Sequence, residues 1–124
     1  MRMGVFLLSL ALLLGPGVSI PSHAASLDRE AQKVFRKIGV GPEQTEPFAQ
    51  VYEQFLSYRA SQIRRVLNGR VGEEVPVVAK KKARRAARKS VKQMRAILTE
   101  QQLKYYEEFL ELDNRIFLRN AGLR

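Results

Sequence analysis

Lys81, Arg85, Arg88, Lys92 and Arg95 recur at steps of four, three, four and three, the spacing that lines side chains up along one face of an α-helix. Ala83, Ala87, Val91, Met94 and Leu98 form a narrow apolar stripe beside them. Between Lys80 and Arg95 there are nine bases and no acid. Ammonium and guanidinium groups in such an array attract anions, and their mutual repulsion calls for a partner of opposite charge. The side chains best placed to meet one are Arg84, Arg85, Arg88, Lys92 and Arg95. Phe48, Tyr52, Tyr105 and Tyr106 are candidates for weak apolar contacts with the same partner, because four slender helices are expected to leave part of them uncovered. The alternatives are an aromatic core and a solvated basic face, linked to Glu107, Glu108, Glu111 and Asp113 by exposed ion pairs that typically contribute under about 1 kcal/mol each.

Bond-making chemistry finds little to work with. The chain has one histidine, His23, which is expected to leave with an N-terminal signal peptide, and no cysteine, so the usual pairs of nucleophile and base cannot be assembled in what remains. The carboxylates of Glu107, Glu108 and Glu111 sit among bases at helical spacing, and an i, i+4 pair of Glu111 with Arg115 accounts for them more simply. Zinc, nickel and copper want thiolate or imidazole ligands, and no calcium-loop pattern is present. The expectation is a protein that is not an enzyme and takes no metal or cofactor.

The elements that must position the cations begin after a leader. "MRM" starts with a positive charge, Val5 to Leu14 is apolar, and "GPG" precedes the small residues of "SHAAS". This is the layout of a secretory signal peptide, with cleavage expected between Ala24 and Ala25; an uncleaved anchor would want nearer 20 apolar residues. Removing residues 1–24 leaves 100 of the 124 residues as one domain, and takes away Arg2 but no acid, so the net charge falls from +10 to +9. Without cysteines a chain of this size depends on helix packing or self-association.

The coarse reading is all-α. A short helix over Leu27–Ile38 ends at Gly39 and Gly41, and a second covers 48–67 with "NG" at Asn68–Gly69 as a left-handed stop. Pro76 opens a third, running over 77–97. Two helices of matched length on a short loop are expected to lie antiparallel. A fourth runs from Glu100 to about Asn120.

Thr99 followed three residues later by Gln102 has the spacing of a capping box, and Leu98 with Leu103 that of a hydrophobic staple. "ILTEQQ" therefore marks a joint between the third and fourth helices, although nothing in it forbids one continuous helix. "VGPEQ", Val40 to Gln44, is a fainter echo in which Gly41 or Thr45 caps the next helix. After it, Phe48, Val51 and Tyr52 repeat the spacing of Tyr106, Phe109 and Leu110.

"LTEQQ" resembles the Leu-Thr-x-x-Gln motif of the Spy/CpxP-like periplasmic family, and "VGPEQ" looks like a degenerate first copy of it, departing at Val40 and Gly41. The resemblance covers the whole mature region in layout and about ten residues in motif. It implies a thin, bent helical hairpin pairing with a second copy into a cradle, in the periplasm. Members implied by it are ATP-independent chaperones, a sensor-kinase modulator and metal-responsive relatives; the missing histidine and cysteine argue against the last.

Together these readings give the expectation of an exported, dimeric, elongated helical hairpin that holds unfolded or partly folded proteins on a basic surface. The runner-up is a regulator docked on an acidic sensor-kinase domain. Anionic membrane surface is a weaker alternative, since an alanine stripe offers little to insert. Nucleic acid, the usual partner of such a helix, is not expected to meet an exported chain.

Overall fold

A computed structural model of the chain describes residues 29–69 and 74–123. The expected leader, the expected cleavage between Ala24 and Ala25 and the expected start of the first helix at Leu27 lie outside the described residues. Within them the architecture is all-helical, with four α-helices packed against one another: α1 (Arg29–Ile38), α2 (Thr45–Gly69), α3 (Glu74–Met94) and α4 (Glu100–Asn120). No strand occurs among the described residues, and none of their helices is long and apolar enough to cross a membrane.

α1 buries Ala31, Val34, Phe35 and Ile38, one face at steps of three, one and three, against α4. It stops at Gly39, whose φ of 64° is left-handed and whose amide donates to the Arg36 carbonyl. A 3-10 turn, Pro42–Gln44, then leads into α2. Gly41 caps that turn, whereas Thr45 is already helical, so the cap is Gly41 and not Thr45. Pro47 falls at the third position of α2, where a missing amide hydrogen costs no intrahelical bond.

α2 packs directly on α3, and α3 on α4. The alanines explain the close approach: Ala79, Ala83 and Ala86 of α3 are all buried. Between α2 and α4, by contrast, no Cα atoms come within 8 Å, because rings fill the space. Phe48 meets Tyr106 at 5.5 Å between centroids, Tyr52 meets Phe109 at 5.8 Å, and Phe35 from α1 reaches Phe109 at 5.1 Å. These are separations at which offset and edge-on aromatic contacts are favourable.

Three boundaries differ from the sequence reading. α3 starts at Glu74, which puts Pro76 in its first turn without making it the first residue, and ends at Met94, short of Ile97. Gly69 is the last helical residue of α2 and does not form a left-handed stop. The end of α4 carries a stop that the reading lacked. Gly122 has φ 75°, its amide donates to the Arg119 carbonyl, and the Leu123 amide donates to the Leu118 carbonyl at 2.7 Å. This is the Schellman arrangement, and Leu123 packs back beside Leu118.

Candidate binding groove

The joint before α4 is real, and it fixes where the basic helix lies. Thr99 is extended (φ −72°, ψ 169°); its hydroxyl accepts from the Gln102 amide at 3.2 Å and its own amide donates to Gln102 Oε1 at 2.9 Å. Leu98 and Leu103 flank this box and are both buried in one cluster, as a staple requires. The echo upstream completes half a box: the Gly41 amide donates to Gln44 Oε1 at 2.8 Å, but glycine has no side chain to return the bond.

The two glutamines then meet. Gln44 Nε2 donates to Gln102 Oε1 at 2.9 Å and to the Ile97 carbonyl at 2.9 Å; Gln102 Nε2 donates to Gln44 Oε1 at 3.0 Å and to the Gly39 and Ile38 carbonyls at 3.0 and 3.1 Å. Gln44 and Gln102 are 58 residues apart, and so are Gly39 and Ile97. Each glutamine thus binds the carbonyl that corresponds to the other's, giving a local two-fold pseudo-symmetry. Both amide oxygens accept from backbone N–H groups and both amide nitrogens donate to backbone carbonyls, so the orientation of each side chain is determined.

Below this knot α3 and α4 run side by side, with Ser90 Oγ and Tyr106 Oη 2.6 Å apart and Asn114 Nδ2 donating to the Ala83 carbonyl at 3.0 Å. On the outer side of the pair lies an open groove of about 1090 Å³. Its α3 wall is Lys80, Arg84, Arg88, Lys92 and Arg95, a line spanning about 22 Å at the helical rise per residue. Its α4 wall mixes Lys104, Arg115 and Arg119 with Glu107, Glu108 and Glu111. The floor is Ala83, Val91, Leu110 and Leu118, all buried.

Four of the five candidate cations, Arg84, Arg88, Lys92 and Arg95, therefore share one groove, all exposed. Arg85 is exposed elsewhere on α3, about 100° round the helix from Arg84. Lys80 takes the place in the line that the reading gave to Lys81. Lys104, Arg115 and Arg119 were missed, although Arg115 and Arg119 stand four apart on a helix read as acidic. Among the described residues, none of the groove's bases has a carboxylate within 4.0 Å, and the expected Glu111–Arg115 pair is not formed.

The aromatic candidates require correction. Phe48, Tyr52 and Tyr106 are each 0% exposed, because the rings pack on one another and on Phe35 and Phe109 in place of open surface. Only Tyr105 is part-exposed, with Lys37 Nζ 5.8 Å from its ring centre.

A buried polar group beneath the groove was also not foreseen. Arg59 of α2 donates to Asn114 Oδ1 at 2.9 Å and lies 3.4 Å from Asp113 Oδ1. Its guanidinium stacks between Phe55 and Phe117, 4.7 and 4.1 Å from their centres. Tyr52 donates its hydroxyl to Asp113 Oδ2 at 2.9 Å. Burial, followed by the Asp113 charge, pushes the Tyr52 phenol well above its ordinary value. Burial pushes Tyr106 up as well, against the lowering effect of its bond with Ser90. Glu53, one oxygen of which is buried without a hydrogen-bond partner, is also raised by desolvation.

No protein-family model, curated protein or solved structure matches the chain.

Proposed function

We propose that the protein is an exported, ATP-independent holding protein of the envelope, which captures unfolded or partly folded chains by charge in the groove between α3 and α4. The observation that carries this reading is the line of five exposed cations along one wall, none of them within 4.0 Å of a carboxylate among the described residues. Charges left open to solvent act at long range and speed encounter with acidic segments. No catalytic group is needed for that role.

Membership of the Spy/CpxP-like family is part of the proposal. It is supported by Leu98, Thr99 and Gln102 at the joint and by the reciprocal bond of Gln102 with Gln44. On this reading α2 and α3 form the elongated hairpin, two copies pair into a cradle, and the periplasm is the site of action.

Suppression of aggregation of a chemically unfolded client, by the mature protein without nucleotide, tests the reading. Arg84→Glu, Arg88→Glu and Lys92→Glu combined are expected to weaken suppression at least about tenfold while the helical circular-dichroism signal is kept, as for removal of several charges from one steering surface. Arg85→Glu, outside the groove, is expected to change it little. Equal protection by wild type and triple variant would refute capture in the groove. Stoichiometric binding of one folded acidic domain, without suppression, would favour a docking regulator.

A further inference from the structure

Capture by charge leaves a question of apolar contact. The floor of the groove is buried, and so are three of the four aromatic candidates. The large apolar side chains that are exposed among the described residues are Leu67 and Val77, 48% and 57% accessible. Both flank the link between α2 and α3, at the end of the bundle remote from the glutamine knot.

The interior at that end is separate from the rest. One apolar cluster joins α1 to α2, α3 and α4, mostly through their knot-side halves and including Phe35, Phe48, Tyr106 and Phe109; from beyond the polar residues of α4, Ile116 also reaches into it. A smaller one joins Ile63, Val66, Ala79, Ala83, Leu118 and Leu123. Between them lies the polar layer: Arg59 falls between Phe55 and Ile63 on α2, and Asp113 and Asn114 between Leu110 and Leu118 on α4.

Such a layer is a weak fastening. Charges taken out of water lose their hydration, and parting the surfaces restores it, so a buried ion pair resists opening less than an apolar layer of the same size. Arg59 is 1% exposed and its Nε has no hydrogen-bond partner, so opening would hydrate an atom that the closed form leaves unsatisfied. Between α2 and α4 the link is made by side chains alone, while on the α3 side the layer is tied by the bond from Asn114 Nδ2 to the Ala83 carbonyl. Beyond the layer, Leu118 and Leu123 of the α4 end pack with Ile63, Val66, Val75, Ala79 and Ala83, part-buried Phe117 lies against the same cluster, and Ile116 alone reaches back into the larger one.

We propose that the C-terminal half of α4, from Asn114 to Leu123, swings away from the α2–α3 pair at this polar layer, uncovering an apolar surface centred on Ile63, Val66 and Leu118 that receives the apolar side chains of an unfolded chain. Arg115, Leu118 and Arg119 belong to both the moving half and the groove, so opening widens the groove as it exposes the surface. The Schellman closure at Gly122 keeps Leu123 folded against Leu118, and the moving half travels as a capped helix. The identity of the partner rests on the capture reading above; the opening does not.

The chain contains no cysteine, so single introduced thiols report on opening directly. Leu118 and Leu103 are both 6% exposed, one on either side of the polar layer. In the mature protein without client, Leu118→Cys is expected to react with a thiol reagent at least about tenfold faster than Leu103→Cys, the signature of local opening below the global unfolding free energy. Adding Arg59→Met, Asp113→Leu and Tyr52→Phe, which turns the layer apolar, is expected to slow labelling at 118 to the rate at 103. Equal rates at the two positions in the otherwise unaltered chain would overturn the opening, whether or not the combined variant folds. Chemically unfolded client is expected to protect Leu118→Cys; fast labelling that client leaves unchanged would overturn the assignment of the surface to client.

Discussion

Gln102 uses both ends of its side-chain amide: the oxygen accepts from Thr99 and Gln44, and the nitrogen donates to Gln44, Gly39 and Ile38. Gln102→Glu keeps the shape but replaces the donor with a carboxylate facing carbonyl oxygens, and is expected to cost about 2 kcal/mol at neutral pH, the cost of unsatisfied part-buried acceptors. The introduced acid is held above its unfolded value, so the folded state gains relative stability as the pH falls through the carboxylate range; urea midpoints at pH 4 and 7 would show this. The tyrosines give a second pH dependence. Tyr52 and Tyr106 are raised by burial, so the folded form keeps protons that the unfolded form loses above about pH 10. Stability is therefore complete below that value and falls as pH rises beyond it, and Tyr52→Phe with Tyr106→Phe is expected to flatten the alkaline limb of the urea midpoint. The Thr99–Gln102 box was legible because both partners lie within one turn. The bond from Gln102 to Gln44 was not, since nothing local announces a contact across 58 residues.

At the scale of elements, the tie between α2 and α4 is polar as well as aromatic. Arg59→Leu alone leaves Asp113 buried without its cation and is expected to cost about 3–5 kcal/mol; adding Asp113→Leu is expected to recover most of that, since an apolar pair of similar size is often neutral. A double-mutant cycle by urea denaturation reads the coupling, and additive losses would show that the two residues do not act as a pair. Helix type and order followed from periodicity, glycine punctuation and the capping box, and α1 and α4 keep their expected ends at Ile38 and near Asn120. The end of α3 did not. The helix stops at Met94 and the residues after it close as a tight turn, with the Ile97 and Leu98 amides both bonded to the Met94 carbonyl, and the Ile97 carbonyl beyond it is taken by Gln44 from another element. Arg59 was also illegible, because in sequence it looks no different from Arg64 and Arg65, which are exposed. Only the packing of the helices decides which arginine is enclosed.

For the whole molecule, the run of bases read from the sequence falls along one exposed wall of a groove whose other wall is of mixed charge, and three of the four aromatics expected to share that surface are buried. The spacing of four along α3 places Lys80, Arg84, Arg88 and Lys92 in the groove, whereas the echo of Phe48, Val51 and Tyr52 in Tyr106, Phe109 and Leu110 contains rings that pack on one another in the core. The central claim is capture led by these charges. Its most direct measurement is the affinity of the chain from residue 25 onward for a fluorescently labelled, unfolded acidic polypeptide as a function of ionic strength, with the Arg84→Glu, Arg88→Glu, Lys92→Glu protein in parallel. Screening lengths fall from about 10 Å at 0.1 M salt to about 3 Å at 1 M. The account requires affinity of the unaltered chain to fall steeply over that range, with the triple variant weak and nearly flat throughout. Affinity indifferent to both salt and charge reversal would contradict it.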